Sequence, residues 1–126
     1  MMKLFISPTH KVDWRINTIF FLESIKYIYK NIRIQKITNP QRPYLYTWQV
    51  NDDNYFLEGS LSKDLNSIVF TTNNLHESLD FLKLCRICMP ADENIIIYDE
   101  MYNNHLTLLI NQNQQIENID EILSAF

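Results

Sequence analysis

Apolar and polar residues alternate along this chain in two rhythms, one with period two and one with helical spacing. Lys3 to Ser7 has the shape of a short strand. Asp13 stands where a helix cap belongs, opening a helix that runs to about Asn31. On it, Trp14, Phe21, Leu22, Ile25, Ile28, Tyr29 and Ile32 form one stripe, and Ile16, Ile19 and Phe20 a second. Glu23, Lys26, Lys30 and Arg33 fill the remaining face. A helix this apolar calls for wide cover, lying across a sheet.

Ile32 to Thr38 alternates isoleucine with polar residues and reads as a strand. A turn at 39–43 leads to Tyr44 to Val50, rich in aromatic and β-branched residues. The polar run 51–54 is a hairpin connection to Tyr55 to Gly59. Ser67 to Thr71 is a further strand. Leu75 to Met89 reads as a second helix, capped by Asn74 with Glu77 three residues on and stopped by Pro90. Its buried stripe is Leu75, Leu79, Leu82, Cys85 and Met89. Asn94 to Tyr98 and His105 to Ile110 are two more strands around a turn at 99–104. Gln114 to Leu123 closes the chain as an amphipathic helix, with Ile116, Ile119 and Leu123 inward.

Short connections between successive strands favour an antiparallel meander, since parallel pairing needs longer crossovers. The expected fold is one α+β domain spanning residues 1–126. It has a single antiparallel sheet of about five to six strands and about three helices packed mainly on one face.

Composition narrows the chemistry by exclusion. The 126 residues are 46% hydrophobic and 21% charged, a balance that supports a packed core rather than disorder. A single glycine, Gly59, leaves no glycine-rich loop to cradle phosphate and no nucleophile elbow. Met1 to Pro8 lacks signal-peptide anatomy, and Ile19 to Leu22, closed by Glu23, is far short of a membrane span. The expectation is a cytoplasmic protein without a membrane partner.

Charge is uneven. The formal net charge of −4 divides into +6 over residues 1–50 and −10 over residues 51–126. An acidic segment attracts a cationic surface and repels nucleic acid.

Four groups of residues invite a chemical role. Cys85-Arg86-Ile87-Cys88 has C-x-x-C spacing, yet it falls at a helix end, where the helix dipole opposes a thiolate. No second cysteine pair or histidine pair completes a zinc site, so no metal and no cofactor is expected. His10, His76 and His105 are scattered. Asp92-Glu93 and Asp99-Glu100 flank one strand, roughly 16 Å apart at strand rise, too far for a glycosidase pair. Tyr44, Tyr46 and Trp48 share one face by period two, but an RNA-stacking face also needs a basic groove. Arg42 is the one base close by in sequence, and Lys26, Lys30 and Arg33 make a thin phosphate contact. A covered core face is the better account of the aromatics.

Several short words, in order, bear on function. They are the segment around Trp48, then Tyr55-Phe56-Leu57-Glu58-Gly59, and a helix ending at Met89-Pro90. Ile97-Tyr98-Asp99-Glu100-Met101-Tyr102-Asn103 and a last short helix complete them. Over roughly residues 44–123 this arrangement resembles the small bacterial immunity proteins of contact-dependent inhibition and other polymorphic toxin systems. The resemblance implies a non-enzymatic inhibitor that binds a cognate toxin domain, often a nuclease. It transfers no binding residue, because such contacts differ from pair to pair.

An acidic half suits a basic nuclease surface. Loops held by a sheet commonly carry recognition, and tyrosine is enriched at interface hot spots. The expected partner-binding residues are therefore Asp92, Glu93, Asp99, Glu100 and Tyr102, with Asp52 and Asp53 behind them. The partner is a protein, with no nucleic acid and no small-molecule substrate. Two other readings stand beside this one. One is a regulatory or adaptor module for an endogenous protein. The other is a small hydrolase in which Asp99, Glu100 and His105 converge on folding.

Overall fold

A computed structural model describes residues 1–100 and the backbone of residues 105–108. The elements run β1 (Met2–Pro8), α1 (Thr18–Ile28), β2 (Arg33–Lys36), β3 (Tyr44–Asp52), β4 (Tyr55–Ser62) and β5 (Ile68–Thr72). They continue with α2 (Leu79–Ile87), β6 (Ile95–Asp99) and β7 (His105–Leu108). The fold is α+β, with one sheet in the order β2-β3-β4-β5-β1-β6-β7 and every neighbouring pair antiparallel. The sheet has seven strands, more than the total of about five to six expected, and each falls on a segment read as a strand from the sequence. Two helices lie among the described residues. The helix expected at Gln114 to Leu123 and the strand end at 109–110 lie outside them.

The meander holds from β2 to β5, where connections are short. It stops there. β5, α2 and β6 form a crossover whose two strands run in the same direction, and β1 fills the slot between them, antiparallel to both. The N-terminal strand is thus internal, not an edge.

Both helices differ from their expected spans. α1 begins at Thr18, and Asn17, not Asp13, caps it, with Asn17 Oδ1 accepting from Phe20 N–H at 3.0 Å. The lead-in stays extended because Ile16 is buried and its N–H donates to the Leu65 carbonyl at 2.7 Å. α2 proper begins at Leu79. Asn74 Oδ1 accepts from Glu77 N–H at 3.1 Å and so closes a separate turn ahead of the helix.

One sheet face carries the core. Leu4, Ile6, Trp48, Val50, Leu57, Leu61, Ile68, Phe70, Ile95 and Ile97 alternate inward and meet Phe21 and Ile25 of α1 and Phe81, Leu82 and Cys85 of α2. Trp48 is its centre, edge-on to Phe21 at 5.2 Å and tilted against Phe81 at 5.9 Å. The indole lies flat over Gly59 on β4. A Cβ there would stand 2.7–2.8 Å from three indole atoms, so the one glycine is required by close approach, not by a turn.

Candidate interaction surface

The sheet register decides where each acidic residue lies. Asp52 and Asp53 occupy the β3–β4 connection, with Asp52 opposite Tyr55. Two residues further along β4, Leu57 pairs with Thr72 of β5, and Thr72 pairs with Met2 of β1. Leu4, two residues along β1, pairs with Asp99 at the end of β6, and Glu100 follows. Asp52, Asp53, Asp99 and Glu100 therefore mark the same end of the sheet. Glu77 joins them, because Ser78 Oγ bonds Thr72 Oγ1 at 2.8 Å and so anchors the start of α2 at that end.

Asp92 and Glu93 lie at the opposite end, before β6 begins beside Pro8. Glu93 Oε2 stands 3.8 Å from His10 Nε2. Their loop is held from beneath. The buried Arg86 guanidinium donates to the carbonyls of Met89, Pro90, Ala91 and Glu93 at 3.2–3.3 Å. Tyr102 lies outside the described residues.

The acidic end is exposed, with Lys3 on one side of it and Arg33 beside Asn31 and Asn51 on the other. Asp52, Asp53, Glu77 and Glu100 are exposed and Asp99 is half-buried. Lys3 Nζ approaches Glu100 Oε1 at 3.9 Å, both groups well exposed, a pair of small energetic weight. Asn31 Nδ2 donates to Asp52 Oδ1 at 3.5 Å, at the limit for a hydrogen bond. The opposite end is mixed, with Lys11, Arg15 and Lys63 among Asp13 and Asp64 around a cleft of about 770 Å³.

A chain of hydroxyls supports the acidic end from inside. Ser78 donates to the Asn74 carbonyl at 2.9 Å, which leaves its oxygen to accept from Tyr55 at 2.7 Å. Tyr55 in turn lies 3.2 Å from the Tyr29 hydroxyl at the end of α1. Burial raises the Tyr29 phenol well above its usual value, and the Tyr55 hydroxyl adds to that, so Tyr29 stays protonated. The network joins both helices to β4 and β5 just under the β3–β4 turn. Sequence reading missed it because its members are far apart and each is an ordinary polar residue.

The other candidates resolve by position. Cys85 is fully buried and Cys88 partly so, and both thiols are free. Burial pushes Cys85 up, with Cys88 adding to it, and pushes Cys88 up to about 12. Neither supplies a thiolate near neutral pH. His10 and His76 are exposed, and His105 pairs with Tyr98 across β6–β7. Among the described residues no three His, Cys, Asp or Glu side chains gather as metal ligands, and no helix is long and apolar enough to cross a membrane.

The aromatic run does not share one face. The register shifts between Tyr44 and Tyr46, so Tyr46 and Trp48 face the helices while Tyr44, opposite Ser62, turns to the open face. That face is a shallow trough of about 750 Å³ along which Arg33, Gln49, Glu58, Thr71 and Lys3 follow one another across five strands. Beside them Phe5 and Tyr98 stack on each other at 5.1 Å, spending their ring faces on one another. With Glu58 between its two cations, the trough is not the basic groove that a single strand of nucleic acid requires.

No family model, no curated protein and no solved structure matches this chain.

Proposed function

We propose that this chain is an immunity-type inhibitor, which binds a cognate bacterial toxin domain stoichiometrically and carries out no reaction of its own. The observation that supports it most is the gathering of Asp52, Asp53, Glu77, Asp99 and Glu100 at one end of the sheet by strand register. That end presents a negative field on a rigid scaffold, and the partner it fits is strongly basic, as a nuclease domain is. Such complementarity accelerates encounter and rejects partners of the wrong sign. The resemblance over residues 44–123 points the same way. Asp92 and Glu93 fall outside this interface.

The test is capture of the toxin domain encoded beside this gene, co-expressed and purified at low and high salt. A stoichiometric complex, with the toxin's activity silenced in it, is the expected result. Reversal of Asp99 and Glu100 to lysine then slows association by about tenfold at low salt. No complex at either salt concentration overturns the proposal, and capture of a cell's own regulatory protein instead transfers it to the adaptor reading.

A further inference from the structure

No further inference is drawn: the strongest candidate, the apolar cleft between α1 and α2 flanked by Tyr27 and Ile87, carries nothing, because residues 109–126 lie outside the described residues and nothing in the structure shows what covers it.

Discussion

At the residue scale, the fold depends most on a few close approaches. Gly59 lies under the Trp48 indole with no room for a methyl group. Backbone on one side and a fully buried ring on the other leave little way to relax. Gly59→Ala is expected to lower stability by about 2 kcal/mol, the usual cost of overpacking a core, and urea denaturation measures it. Two thiols set a different limit. Burial pushes Cys88 up to about 12 and holds Cys85 well above its ordinary value, whereas the unfolded chain releases those protons from about pH 8.5. Below that pH both states hold the protons and the thiols contribute no slope. Above it the unfolded state binds fewer protons, so stability falls as pH rises toward 12. Denaturation midpoints between pH 8 and pH 11 are expected to decline more steeply in the native chain than in a Cys85→Ala, Cys88→Ala variant. At neutral pH both thiols should resist alkylation until the chain unfolds.

Among elements, α1 shows where local signals were readable and where they were not. Asp13 and Asn17 are both good caps, and propensity cannot choose between them. Burial of Ile16 in an extended lead-in chooses Asn17, and that is a tertiary fact. Asn17→Ala is expected to cost about 1 kcal/mol, and Asp13→Ala close to nothing, in paired thermal melts. The strands divide in the same way. Alternation located β3, β4 and β5 and short connections paired them, so the meander was legible. Nothing in Lys3 to Ser7 states that it inserts between β5 and β6, because alternation reports which face is buried and not which neighbour is paired. Tyr44 escaped for a related reason. Period two held until the register shifted, and no glycine or proline within the strand marks the shift.

Across the whole molecule, five acids of the chain's acidic part, Asp52, Asp53, Glu77, Asp99 and Glu100, come to one end of the sheet. Asp52 and Asp99 are 47 positions apart in the chain. They share an end because β1 carries the register from β5 across to β6. Asp92 and Asp99 are close in sequence and lie at opposite ends, because β6 runs between them. The strand between Asp92 and Asp99 was legible in the sequence, whereas the meeting of Asp52 with Asp99 at one end needed the topology. The two ends also differ in what screens them. Glu93 faces His10 within a loop fixed by Arg86, among Lys11, Arg15 and Lys63, while Asp52 and Asp53 have no cation within ion-pairing distance among the described residues. Under the proposed function, the field that steers a basic partner originates from the end that holds Asp52, Asp53, Asp99 and Glu100, and at physiological ionic strength it reaches about 8 Å into solvent. Two double variants of equal charge change separate these ends. Asp52→Lys with Asp53→Lys is expected to slow association with the toxin domain by about tenfold at low salt, and to flatten its salt dependence. Asp92→Lys with Glu93→Lys, identical in net charge, is expected to leave the association rate within about twofold, because its charges arise at the far end of the sheet. Stopped-flow association at two salt concentrations reads both. Equal slowing in the two variants would mean that net charge alone steers the encounter and that the acidic end has no special part in it.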